Sequence, residues 1–101
     1  MLVHVVLIKW NDKITEETLA AITENFSKLP TAIPQIKCYE FGPNVGIIKD
    51  GADYALVAKF DNAIDLKAYI EHPAHQEFMT QYSTRYIHAF ESVQFELSIK
   101  K

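Results

Sequence analysis

The chain has 101 residues, of which 49% are apolar and 23% are charged, and this composition is typical of a single globular domain spanning residues 1–101. The net charge of −3, with lysine and arginine scattered singly, excludes the basic surface that a nucleic-acid-binding protein needs. The single cysteine, Cys38, excludes an internal disulfide, and because there is neither a signal peptide nor an apolar run of bilayer length, we expect a cytoplasmic protein without membrane association.

The first half of the chain predicts a strand, a helix and a second strand. Apolar and β-branched residues predict the first strand over residues 2–10. Thr15 is a suitable N-cap for the helix that follows, because acidic residues occupy its first turn. One face of this helix is apolar, with hydrophobic residues at intervals of three and four: Leu19, Ile22, Phe26 and Leu29. Residues 35–41 predict the second strand, which we expect Gly42-Pro43 to stop.

The second half predicts two further strands with a broken helix between them. The third strand is predicted over residues 53–60. Asn62 is expected to cap a short helix, and Pro73 to begin a new helix, since proline is tolerated in a first helical turn. Residues 90–99 alternate and predict a fourth strand. The residues that share one side of this strand are Glu91, Val93, Phe95, Leu97 and Ile99.

The order β-α-β-β-α-β predicts an α+β, ferredoxin-like split β-α-β fold with an antiparallel sheet. The first and third strands are expected in the middle of this sheet, because both are apolar on their two faces. The helices of this topology cover only one face. We therefore predict a homodimer whose sheets pack against each other as a dimeric α+β barrel and bury roughly 2,000 Å² or more.

The segment "YIEHPAH" (69–75) is the main candidate for a functional site. His75 lies in the first turn of the helix that Pro73 begins, and it precedes Phe78, Met79, Tyr82 and Tyr86 on one apolar stripe. Burial and the positive helix end both favour a neutral imidazole, which is available as a base. Tyr69 lies one turn upstream, and His72 can accept hydrogen bonds from free backbone donors. The alternative is a purely structural junction between two helices.

Other side chains are candidates for the lining of a pocket around this segment. His4 shares one face of the first strand with Trp10, and periodicity leaves open whether that face meets the helices or the partner. Together with Trp10, an apolar ligand pocket would use Phe78, Met79 and Tyr82. We expect no metal, because the two histidines lack the four-residue spacing of a zinc-binding helix. We also expect no cofactor, because the chain has no glycine-rich phosphate loop.

Four segments carry a resemblance to a known family: "HVVLIKW", "IPQIKCYEFGPN", "DYALVAKFDNAIDLKAYIEHPAHQEF" and "FESVQFEL". They resemble the stress-responsive A/B barrel (Dabb) domain family over nearly the whole chain, most specifically at "YIEHPAH". The resemblance implies a ferredoxin-like barrel that dimerises through its sheets. Many members of the family have no established catalysis.

The chain is also distantly similar to the family's plant olivetolic acid cyclases, which close a linear polyketide without a cofactor. That similarity implies His75 as general base with Tyr69 assisting it, and it places His72 and His4 at the same site. Two pocket positions differ from those enzymes, since Tyr54 stands where they have a histidine and Phe26 where they have a tyrosine. Two functions are therefore weighed: a homodimer that binds a small apolar or aromatic molecule, or a cofactor-independent cyclase, lyase or isomerase. Cofactor-free oxygenation has no specific support in the sequence.

Overall fold

The computed structural model describes residues 1–98 of the chain. Its elements in chain order are β1 (Leu2–Trp10), α1 (Glu16–Ala32), β2 (Cys38–Pro43), β3 (Tyr54–Phe60), α2 (Ala63–Glu71), α3 (Pro73–Phe78), a π-helical turn (Met79–Ser83), α4 (Thr84–Tyr86) and β4 (Ile87–Glu96). The strands form one antiparallel sheet in the order β2-β3-β1-β4. The predicted α+β, ferredoxin-like fold and the central position of the first and third strands are confirmed. Within residues 1–98, no helix is long and apolar enough to cross a membrane.

Side-chain caps begin two of the helices where the sequence predicts them. The Thr15 hydroxyl accepts a hydrogen bond of 3.1 Å from the Thr18 N–H at the start of α1. The Asn62 side chain accepts one of 2.9 Å from the Asp65 N–H at the start of α2. Each cap satisfies a backbone donor that a helix leaves free at its first turn, which fixes where these helices begin relative to the sheet.

The bounds of β2 differ from the prediction. The strand covers Cys38–Pro43 rather than residues 35–41, and Gly42-Pro43 lies within it instead of stopping it. These two residues pair with Ala55 and Tyr54 of β3. Proline is tolerated there because β2 is an edge strand and Pro43 is its last residue, where the ladder needs no further donor.

The last strand also begins earlier than predicted. It starts at Ile87 rather than at residue 90, because the chain passes directly from α4 into a pairing of Ile87 with Trp10 across an irregularity in β1. It ends at Glu96, so the predicted alternation of this strand is observed only up to that residue. Ile99, which was assigned to the same strand, lies outside the described residues.

The helices pack against one face of the sheet, which we call the inner face. Its buried strand residues are His4 and Ile8 of β1 and four alternate residues of β3: Tyr54, Leu56, Ala58 and Phe60. The opposite, outer face of the central strands and β4 carries Val3, Val5, Leu7, Ala55, Val57, Val93 and Phe95. The face of β1 that carries His4 therefore meets the helices, which settles the alternative that periodicity left open.

Candidate functional site

A cavity of about 250 Å³ lies between the helices and the inner face, on the side of β1 and β4. Its lining is mostly apolar, as is usual for small-molecule sites. The sheet contributes His4, Val6, Ile8, Leu56, Ile87, Phe90 and Ser92. The helices and the π-helical turn contribute Phe26, Tyr69, Ile70, His75, Phe78, Met79 and Ser83.

One end of the cavity is polar, because β1, α2 and α3 meet there. Tyr69 comes from the last turns of α2, and its ring centroid lies 4.7 Å from that of His75 and 6.3 Å from that of His4. The three rings meet edge to face, an arrangement in which a positive ring edge contacts a negative ring face. We call His4, Tyr69 and His75 the polar corner.

His75 is held neutral near pH 7 by its surroundings. Burial lowers the pKa of its imidazole, the nearby His4 lowers it further, and the backbone carbonyl of Ile70 acts in the opposite direction. Its Nδ1 atom is buried and has no hydrogen-bond partner within the described part of the chain. A buried ring nitrogen without a partner is costly. Because Nδ1 has almost no accessible surface, the part of His75 that lines the cavity is the rest of its ring.

A second tyrosine forms a hydrogen bond with the Tyr69 hydroxyl group. The hydroxyl groups of Tyr39 on β2 and Tyr69 are 2.7 Å apart. Burial raises the pKa of Tyr69 to about 12, although the hydrogen bond with Tyr39 works in the opposite direction. Burial, with the neighbouring Tyr69, also raises the pKa of Tyr39. Both phenols are therefore protonated at neutral pH. If Tyr39 donates to Tyr69, the Tyr69 hydroxyl is free to donate into the cavity.

His4 is oriented by β4. Gln94 lies directly across the β1–β4 ladder, and its Nε2 is 2.9 Å from His4 Nδ1. Burial lowers the pKa of His4, so this ring is also neutral near pH 7 and accepts a hydrogen bond from the amide. The other side of the ring is left for the cavity.

Four of the predicted site residues do not line the cavity: His72, Trp10, Tyr54 and Tyr82. The His72 ring accepts a 3.0 Å hydrogen bond from the Ala74 N–H, so it ends α2 and caps α3. Trp10 and Tyr54 pack on each other with centroids 5.6 Å apart. The Tyr54 hydroxyl is 2.8 Å from the Thr23 hydroxyl, which turns it toward α1.

Tyr82 is also outside the cavity lining, for a reason that lies in the helix itself. The predicted stripe assumes a regular α-helix from Pro73 onward, whereas residues 79–83 form a π-helical turn. A π-helical turn holds more residues than an α-helical one and shifts the residues that follow around the axis. Tyr82 packs on Phe78 with centroids 5.7 Å apart, and Ser83 lines the cavity instead.

Two side chains that hydrogen-bond to the polar corner, Tyr39 and Gln94, are not predicted from the sequence. Strand periodicity contained a signal for Tyr39, since it shares the inward side of β2 with Phe41. The antiparallel register contained one for Gln94, which faces His4. Both signals identify an inward position but not a hydrogen bond.

Within residues 1–98, no three side chains of the types histidine, cysteine, aspartate and glutamate lie close enough to share a metal ion. The cavity lining contributed by these residues includes no lysine, arginine or carboxylate. Because both histidines of the polar corner are neutral, the site offers hydrogen bonds and apolar contact rather than charge.

Comparison with known proteins identifies relatives along nearly the whole chain. The model of the stress-responsive A/B barrel domain family matches residues 2–97. An uncharacterised protein of Streptomyces coelicolor is 36% identical over 78 residues, which span 75% of this chain and 80% of that protein. The stress-response A/B barrel domain-containing protein HS1 of Arabidopsis thaliana is 28% identical over 79 residues, spanning 76% of this chain and 72% of that protein.

Among solved structures, a dimeric ferredoxin-like protein of unknown function from Thermobifida fusca is similar in both fold and sequence. It superimposes with a TM-score of 0.87 at 33% identity, covering 95% of this chain and 90% of that one.

Proposed function

The chain belongs to the stress-responsive A/B barrel domain family, and from this premise we propose that it forms a homodimer that binds a small, neutral apolar or aromatic molecule in the cavity. The dimeric assembly of the T. fusca relative and the bare apolar outer face support the homodimer. No catalysis is established for the relatives described above. The predicted cytoplasmic location stays a prediction.

The observation that carries the binding proposal is the combination of an apolar cavity with one polar corner. An empty apolar space destabilises the folded protein, because its lining loses the packing contacts that a filled core would have. A ligand with an apolar ring would restore packing contacts to this lining, and its carbonyl group would accept a hydrogen bond from the Tyr69 hydroxyl at the polar corner.

Acetophenone is a suitable probe because it is a neutral aromatic ring with a single carbonyl group. We expect saturable chemical-shift changes in ¹H–¹⁵N spectra at the backbone amides of His4, Tyr69 and His75. In Val6→Phe, the larger side chain fills the middle of the cavity and should abolish these changes while the dispersion of the spectrum is retained. Absence of saturable changes in the wild-type protein, or unchanged binding by the variant, would contradict the proposal.

A second candidate function is cofactor-independent proton abstraction, which is favoured by the contact of the neutral His75 ring with Tyr69. In this reaction His75 takes a proton from the carbon next to a carbonyl group, and the Tyr69 hydroxyl donates to the developing oxyanion. A cyclase, lyase or isomerase would each begin with a proton transfer of this kind.

Exchange of the acetophenone methyl protons in D₂O, followed by NMR, tests this second candidate. His75→Ala should slow the protein-dependent exchange by roughly 10²- to 10⁴-fold, with the dimer intact. Because burial lowers the pKa of His75 below its ordinary value of 6.5, the wild-type rate should be full at pH 7 and fall only on acidification below 6.5. Exchange that persists in His75→Ala would eliminate this residue as the base.

A further inference from the structure

The π-helical turn brings a buried hydroxyl group to the cavity. Ser83 is 8% exposed. Within residues 1–98 it and His4 are the buried polar residues, and both line the same cavity. Its neighbour Thr84 donates its hydroxyl to the carbonyl of Thr80 at 3.2 Å, as hydroxyl groups in helices commonly do. Among the side-chain hydrogen bonds of residues 1–98 there is none from the Ser83 hydroxyl. Ser83 therefore presents an unpartnered polar group to an apolar space.

Ser83 lies at the end of the cavity opposite the polar corner. The helical segment from α3 to α4 runs along β1 from the level of His4 to that of its last residue, since the Tyr86 carbonyl accepts the Asn11 N–H at 2.8 Å. Ile87 and Phe90 line the cavity near this second end, and Phe90 pairs with Ile8. His75 and Ser83 are eight residues apart, which is roughly 12 Å along the axis of a regular α-helix and somewhat less here, because residues 79–83 form the π-helical turn.

We propose that the Ser83 hydroxyl is a second polar anchor, and that the ligand is a neutral aryl carbonyl compound with a hydroxyl group para to its carbonyl. This inference rests on the proposed binding function. The carbonyl group faces Tyr69 and His75, and the phenolic hydroxyl group faces Ser83. The polar atoms of a para-substituted benzene ring lie roughly 6 Å apart, and a hydrogen bond of about 2.8 Å at each end gives a length of the same order as the separation of His75 and Ser83 along the helix.

The size of the cavity agrees with this class of ligand. Sites for drug-sized molecules usually enclose about 300 to 1,000 Å³. A cavity of about 250 Å³ suits a single substituted ring. A serine hydroxyl both donates and accepts, so it pairs with a phenol in either direction. A ligand without the second polar group would leave the Ser83 hydroxyl unpaired in an apolar site, and this cost makes Ser83 a determinant of specificity.

The test compares the dissociation constants of acetophenone and 4-hydroxyacetophenone for the wild-type protein and for Ser83→Ala. The wild-type protein should prefer the hydroxylated ketone by about fivefold to tenfold, the effect of one neutral hydrogen bond. Ser83→Ala should lose this preference, because it neither gains the hydrogen bond to the hydroxylated ketone nor leaves a hydroxyl group unpaired beside acetophenone. Thr84→Val is the matched control, because it removes a neighbouring hydroxyl that is already satisfied within the helix and does not line the cavity.

The outcomes separate this inference from the function on which it rests. If neither ketone binds the wild-type protein, the proposed function fails and the anchor fails with it. If acetophenone binds but the hydroxylated ketone is not preferred, or if the preference survives in Ser83→Ala, the anchor is overturned while the proposed function stands. If Thr84→Val also loses the preference for the hydroxylated ketone, the preference depends on the integrity of the helical segment and not on the Ser83 hydroxyl, and the anchor is overturned.

Discussion

The two faces of the sheet have nearly the same apolar alternation but differ in what covers them. On the inner face, Tyr54, Leu56 and Phe60 are at most 3% exposed, because three helices and the π-helical turn pack on them. On the outer face, Leu7 is 43% exposed and Val93 is 56% exposed. The inner face of β3 is therefore covered by a packed core, whereas the outer face carries exposed apolar residues without a cover in the protomer.

The polar groups distinguish the roles of the two faces. The inner face buries His4 and brings it to the same cavity as Tyr69 and Ser83. The centre of the outer face is aliphatic, and charged residues such as Glu40 and Lys59 lie toward its margins. An aliphatic centre with a charged rim is typical of a protein–protein interface, whereas buried polar groups around a void are typical of a ligand site.

The largest effect that we expect from this contrast is on dimerisation. Val93→Asp places a carboxylate on the outer face at the middle of the length of β4, opposite Val5. If this face packs on a second copy, the buried unpaired charge should weaken the dimer by roughly 10²- to 10³-fold. Sedimentation velocity over a range of protein concentrations measures the change.

Ile64→Asp provides the matched control for this experiment. Ile64 lies on α2 and is 78% exposed, so it is as accessible as Val93 but sits away from the outer face. The control should remain dimeric and the outer-face variant should not. A Val93→Asp protein that dimerises as tightly as the wild type would place the interface elsewhere.

Much of the fold follows from local patterns in the sequence. The caps Thr15 and Asn62 and the break at Pro73 are chemical signals within a few residues of the boundary they set, and the structure confirms them. The bounds of β2 and β4 are set by pairing with other strands. The pairing of Pro43 with Tyr54 depends on partners distant in the chain, which a local pattern does not contain.

The residues of the candidate site also fall into two groups, those that local patterns predict and those that only the tertiary structure determines. The stripe of α3 brings His75 inward. The residue pattern also made Tyr69 and His4 candidates, and the resemblance to the family implied that they share one site with His75. Ser83 could not be predicted from an α-helical period, because the π-helical turn changes the rotation after Phe78. The hydrogen bond between Tyr39 and Tyr69 joins β2 to α2, and only the tertiary packing determines it.

The smallest effect concerns this tyrosine pair. It tests whether the two hydroxyl groups buried on the inner face satisfy each other. Tyr39→Phe and Tyr69→Phe each remove one hydroxyl and leave the other without its partner, so each should lower the free energy of unfolding by about 1 kcal/mol or slightly more. The double variant should lose less than the two single variants together, because both ends of one hydrogen bond are then absent. Urea denaturation at one fixed protein concentration measures all four proteins, since the apparent stability of a dimer depends on concentration.

Tyr82→Phe is the control for this cycle, because the Tyr82 hydroxyl has no hydrogen bond among those of residues 1–98 and its ring lies outside the cavity. Its free energy of unfolding should change by less than about 0.5 kcal/mol. Strictly additive losses in the tyrosine pair would mean that the two hydroxyl groups are satisfied independently. Tyr39 would then not orient Tyr69, and the polar corner would consist of groups that merely lie close together.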